Sequence, residues 1–325
     1  ARGFYQNFIG NPAGQWEENV SLNIGFDATL FNNSTNIVFD FYQKETNGLL
    51  TRQGGNAQLG AGAYNPAFKN IGSMKNWGID LLISNRSNIT PELTLTTTLT
   101  FTTYKNEITK VSDDIDFFDF NSPSAEANRL GGGTITRNMV GYPLNTYYGY
   151  EVVGIFQTQA EVDAAPQQLG GGNTNTAFPG SFRYRDVSGP DGKPDGVIDA
   201  RDRTVIGDPN PDFTYGLNFD LQYKGFDLQL FFYGVQGKQN FMWSKWFDMF
   251  PNFGGMSRET LYNSWLPDGS RPNAAAPIQL SSASFSTSAA VNSYYVEDAD
   301  YLRLRNVQVG YTFKSDLLSK MKISR

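Results

Sequence analysis

The sequence holds 325 residues, with 26 Lys+Arg against 32 Asp+Glu, a net charge of -6, no histidine and no cysteine. That balance excludes a basic nucleic-acid footprint, and the missing residues exclude disulfides, Cys-ligated zinc, thiol nucleophiles and every Ser-His-Asp arrangement. Aromatics at 14 %, charges at only 18 % and 33 glycines point to an all-β protein.

The predicted elements follow from strict two-residue alternation. From Asn19 to Phe31, Val20, Leu22, Ile24, Phe26, Ala28 and Leu30 share one face, and Ser21, Asn23, Gly25, Asp27 and Thr29 the other. Ile37, Phe39 and Phe41 form the second apolar row, and Trp77, Ile79, Leu81 and Ile83 the third. In the fourth, Leu93, Leu95, Leu99 and Phe101 oppose a threonine ladder, Thr94, Thr96, Thr98, Thr100 and Thr102. Phe213–Tyr223, Phe226–Phe232 and Val307–Phe313 supply the last three. The clearest of these seven runs match the 9–11 residues with which a tilted strand crosses a bilayer, and exceed the 5–6 of an ordinary globular strand.

The connections point the same way. Tight turns at Asn32-Asn33-Ser34, Asn88–Pro91 and Lys224-Gly225 alternate with long segments, about 46–76, 106–212 and 237–300. Outer-membrane barrels alternate short periplasmic turns with long external loops. Parity requires an even number of crossings between Asn106 and Asp212, so that whole segment is placed outside the membrane. Aromatics at strand ends (Trp77, Tyr104, Phe213, Tyr215, Tyr223, Phe226, Tyr311, Phe313) read as interfacial girdles. No run of about 18 apolar residues offers a transmembrane helix. Ala1 opens without an initiator Met or signal peptide, and Ser324-Arg325 falls where a new apolar pattern begins, so both ends are expected to continue in a longer protein.

Several motifs then coincide, in order. They are Gly141-Tyr142-Pro143-Leu144, Tyr148-Gly149-Tyr150 with Gly154-Ile155-Phe156-Gln157, Tyr184-Arg185-Asp186 leading into Asp195-Gly196-Val197-Ile198-Asp199, and Ile206–Gly216. Tyr223-Lys224-Gly225-Phe226-Asp227-Leu228 and Tyr301-Leu302-Arg303-Leu304-Arg305-Asn306-Val307 complete the series, with Trp16-Glu17 and Phe31-Asn32-Asn33 near the start. Together they resemble the SusC/RagA-like family of TonB-dependent outer-membrane transporters. The resemblance implies a 22-stranded barrel filled by an N-terminal plug, set among lipid and lipopolysaccharide in a Gram-negative outer membrane. It implies import of oligosaccharides or peptides, powered by the TonB complex, beneath a SusD-like lipoprotein. Residues 1–325 are then expected to be a C-terminal portion of that barrel, with the plug, the early strands and the final strands outside this sequence. Seven strands cannot close a pore of that size.

Two constellations carry candidate chemistry. In the acidic run Asp186, Ser188, Asp191, Asp195, Asp199 and Asp202, the stretch from Asp195 matches the second half of a calcium loop, with Gly196 at the turn and the Val197 carbonyl as a ligand. The first half departs from the pattern, since Lys193 stands where an oxygen belongs; Asp186 and Ser188 serve only if 189–194 loops out. A bound Ca²⁺ and a solvated Asp/Gly-rich turn are the two readings. The 237–300 segment concentrates Trp243, Trp246, Phe247, Phe250 and Trp265, read either as a surface for substrate or lid or as local packing with a short helix near 257–265. No activated nucleophile or phosphate loop appears, so no enzyme is expected. The other functional readings are a structural barrel partner in a surface assembly and a secreted β-sandwich for adhesion or carbohydrate binding. Strand length and loop alternation favour the barrel over the sandwich.

Overall fold

The computed structural model describes residues 10–52, 68–112, 116–118, 130, 134–248 and 256–313. Seven long strands dominate: β1 (Glu18–Leu30), β2 (Thr35–Asn47), β3 (Gly72–Thr90), β4 (Leu93–Val111), β5 (Phe213–Tyr223), β6 (Phe226–Gln236) and β7 (Tyr301–Tyr311). They form one sheet in chain order, every neighbour antiparallel. The three expected turns close the three hairpins. Phe31, Asn32 and Asn33 all take positive φ, as do Lys224 and Gly225, the left-handed geometry a tight hairpin demands and Asn and Gly supply most cheaply.

The register explains the alternation. Ala28, Ile37, Ile83, Leu99, Leu217, Phe232 and Leu304 line up across all seven strands. On the other face, Gly25, Asp40, Asp80, Thr102 and Thr214 line up in the same way. The sheet therefore has one apolar and one polar face. Among the described residues the apolar face is left largely open at both edge strands: Phe26 is 56 % exposed and Val309 72 %. In water that exposure would be costly; against lipid it is the stable arrangement, which makes the apolar face the outside and the polar face the lumen. An 11-residue strand at about 3.3 Å per residue and a tilt near 45° rises roughly 25 Å, the height of a hydrocarbon belt.

The hairpin turns are staggered. Thr35, beside the first turn, pairs with Asn85, well short of the end of β3 at Thr90. Such stagger is the shear of a tilted barrel wall.

β3 and β4 run further than alternation predicts, to Gly72 and Val111. Their outer ends leave the membrane, where Lys105 on the outward face is exposed and Asn106 and Ile108 on the opposite face are buried, so the apolar-outward pattern stops while pairing continues. Ile71 and Ile108 are buried there with Leu49 and Phe118, and Met74, Val111 and Leu144 pack against them. Among the described residues between 112 and 212, the longest strands have four residues, such as Thr136–Met139, Thr146–Gly149 and Thr204–Gly207. None could span a membrane, as the parity argument requires. These short strands, with helices α1 (Gln159–Asp163), α2 (Ser244–Asp248) and α3 (Arg258–Asn263), build a layer beyond the outer strand ends. Its core joins Tyr150, Phe182, Tyr184, Ile198, Trp246 and Tyr295.

Candidate functional site

The acidic run lies in this external layer, and its hub is Asp202. This side chain is fully buried. One carboxylate oxygen accepts from the Val187 and Ser188 N–H groups (2.8 and 3.1 Å), and the other from the Asp199 N–H (2.8 Å). Asp199 in turn caps the single helical turn Ala200–Asp202, accepting from the Arg201 N–H at 2.8 Å. The Arg201 guanidinium also donates to Asp199 and lies 3.4 Å from Asp195. Its hydrogen bond holds the Asp199 carboxyl below the ordinary carboxylate range. Asp186 accepts from the Gly196 N–H and Asp195 from the Val197 N–H. The 189–194 excursion closes on itself through Gly192 N–H to the Gly189 carbonyl. Gly189 is required there, because a Cβ would stand 2.6 Å from Asp195.

These residues therefore come together, but around amides and an arginine. Asp191 is exposed on the excursion, and Val197 belongs to a two-residue strand paired with Gln167–Gln168. Among the described residues no three carboxylates gather where they could hold a metal ion. Both Asp202 oxygens accept from backbone donors and Asp199 is paired with Arg201, while the buried Asp186 Oδ1 has no hydrogen-bond partner among the described residues. The sequence showed which residues converge; it could not show that backbone N–H groups reach them first.

The aromatic constellation is mostly interior. Trp246 is buried and donates its indole N–H to the Ser288 carbonyl (3.1 Å). Trp243 stacks on it, ring centroids 5.4 Å apart and 8° from parallel, and Phe247 stands edge-on to both. Trp265 is buried, bonded to the Gln157 side chain at 3.0 Å. A buried indole offers no face to a solute, so for Trp246 and Trp265 the packing reading holds over a ligand surface. Phe250 lies outside the described residues. Tyr150, Tyr184 and Tyr295 belong to the same core, and burial pushes the Tyr150 hydroxyl up to about 12 and that of Tyr184 further still.

What sequence reasoning missed lies on the lumen face of β7. A β-bulge interrupts its pairing with β6, so that Phe232 opposes Leu304 while Phe231 opposes Asn306. The signal was present: the apolar residues change phase from Leu302 and Leu304 to Val307 and Val309.

A wall of this kind, apolar outside, polar inside and topped by a folded external layer, defines a segment of an outer-membrane β-barrel. No family model matches the chain. It is 29 % identical over 308 residues to TonB-dependent receptor P3 of Formosa agariphila, a match covering 94 % of this chain and 28 % of that protein. It is 24 % identical over 303 residues to the TonB-dependent receptor SusC of Bacteroides thetaiotaomicron, covering 93 % and 26 %. The RagAB peptide transporter shares the fold, with a TM-score of 0.71 at 23 % identity over 96 % of this chain and 30 % of that one. The chain thus spans less than a third of the relatives it matches. In sequence the chain is similar to TonB-dependent receptors, and in fold to the RagAB peptide transporter.

Proposed function

We propose that these 325 residues are a C-terminal part of a TonB-dependent importer, forming seven strands of its barrel and part of its external layer. The whole protein takes up an oligosaccharide or a peptide, with a SusD-like surface lipoprotein as its lid and the TonB complex as its source of energy. The observation that carries this reading is the seven-stranded sheet in chain order, with one lipid-compatible face and one polar face, joined to a folded layer on one side only. The RagAB peptide transporter, which shares the fold, supports a peptide as one of the two solute classes, and the TonB-dependent receptors P3 and SusC support the TonB-powered reading.

The test uses the full-length protein in its own bacterium. Deleting it should abolish uptake of a labelled oligosaccharide or peptide, and a protonophore should abolish uptake in the wild type. A surface lipoprotein should co-purify with the tagged protein in mild detergent. Unchanged uptake of both solute classes would leave the structural role instead.

A further inference from the structure

We propose that Arg303 and Arg305 form a carboxylate-binding site on the lumen wall, taking acidic groups of the imported solute. The proposal rests on the importer reading and adds a solute chemistry to it.

The bulge is the first observation. In an unbroken strand, residues 302 to 311 would keep one phase, and the outward row begun by Leu302 and Leu304 would continue through Asn306 and Gln308. Instead the bulge admits one extra residue, Arg305, between them. Arg303 pairs directly with Tyr233, in the row that continues through Gly216 and Thr100, which is the polar face. Arg305 lies over the same Tyr233 ring, 5.9 Å from its centroid. Both arginines therefore project into the lumen from one short stretch of wall.

The second observation is what surrounds them. Arg303 lies 5.0 Å over the Tyr301 ring, and the Tyr233 and Tyr301 rings are themselves 6.2 Å apart. The rings give both guanidinium planes a floor and limit their rotamers, and they bring no negative charge. Among the described residues neither arginine has an ion pair or a hydrogen bond, whereas Arg185, Arg201, Lys224 and Lys245 all have carboxylate partners. Two like charges side by side are unfavourable until an anion lies between them, and a guanidinium fork binds a carboxylate through two parallel hydrogen bonds. Peptides and acidic oligosaccharides both carry that group.

The experiment measures binding and not transport, so it is independent of energisation. Purified full-length protein in detergent is titrated by fluorescence anisotropy with a labelled tetraglutamate peptide and its tetraglutamine counterpart. Tetraglutamate should bind at least about tenfold more tightly, a difference of about 1.4 kcal/mol, and the preference should shrink as salt rises. Arg303→Gln/Arg305→Gln should abolish the preference while retaining the heat-modifiable migration of a folded barrel. If that pair does not fold, Arg303→Lys/Arg305→Lys keeps the charge but loses the forks, and should lower the preference about threefold. Equal binding of the two peptides by the wild type overturns the proposal; this is the result if a carboxylate elsewhere in the full chain already holds the arginines. A preference that survives unchanged in the variants overturns it as well. Energised uptake without acidic preference would remove this site alone and leave the importer reading standing.

Discussion

At the scale of single residues, the external layer depends on a carboxylate that faces no solvent. Asp202 gathers three backbone N–H groups, from Val187, Ser188 and Asp199, and so fixes both ends of the acidic excursion. Asp202→Ala leaves those three donors buried without an acceptor, a local cost on the order of 3 kcal/mol. Limited proteolysis should then cut within 186–203 much faster, while the barrel keeps its heat-modifiable migration. Asp202→Asn retains one acceptor oxygen and should fall between the two. The same geometry bears on the calcium reading. Because protein donors already satisfy Asp199 and Asp202, adding Ca²⁺ or a chelator should leave the protease sensitivity of this segment unchanged. Protection that follows Ca²⁺ concentration would favour the ion, with the unpartnered Asp186 Oδ1 as a ligand, and require Asp195 and Asp199 to turn from their amide and arginine partners.

At the scale of elements, the seven strands were readable because a bilayer imposes one simple rule, apolar out and polar in, along every strand. The rule failed wherever its cause was absent. It ended at Trp77 and Tyr104 although β3 and β4 continue, because above the membrane the outward face meets water and burial moves to the opposite face, at Asn106 and Ile108. It also predicted only the second half of β7, because the bulge at Arg305 splits one strand into two phases. The candidate site was legible in its membership and not in its chemistry. Carboxylates spaced for a metal and carboxylates spaced to cap turns look alike until the backbone around them is placed. Tryptophans on a binding surface and tryptophans in a loop core likewise share a composition. The bulge is testable. Deleting Arg305 removes the extra residue, so Asn306 opposes Phe231 in an unbroken ladder and Val307 and Val309 still face lipid. The deletion should therefore yield as much heat-modifiable protein in the outer membrane as Arg305→Ala, which keeps the bulge; a sharply lower yield for the deletion would show that assembly needs the bulge itself.

At the scale of the whole molecule, two layers with different physics share one chain. The wall is held by sheet hydrogen bonds and, on its outer face, by lipid. The external layer is an ordinary water-facing structure whose core is rich in buried tyrosine: Tyr150, Tyr184 and Tyr295 sit together with Phe182 and Trp246. Burial raises the Tyr150 hydroxyl to about 12 from an unfolded value near 10. Because the folded value is the higher one, the stabilisation is fully present below about pH 10 and is lost as pH climbs through about 12, where the unfolded state has already released the proton. Tyr184 and Tyr295 shift in the same direction for the same cause, so they add to the effect. Alkaline titration should therefore separate the layers. The buried tyrosines should stay un-ionised, by tyrosinate absorbance, until the external layer opens between about pH 10 and 12, and protease sensitivity in 134–212 should rise in the same window. The lipid-held strands should keep their β-sheet circular dichroism throughout it. Parallel loss of both signals would mean that the layers unfold as one unit, and that the external core supports the wall as well as capping it.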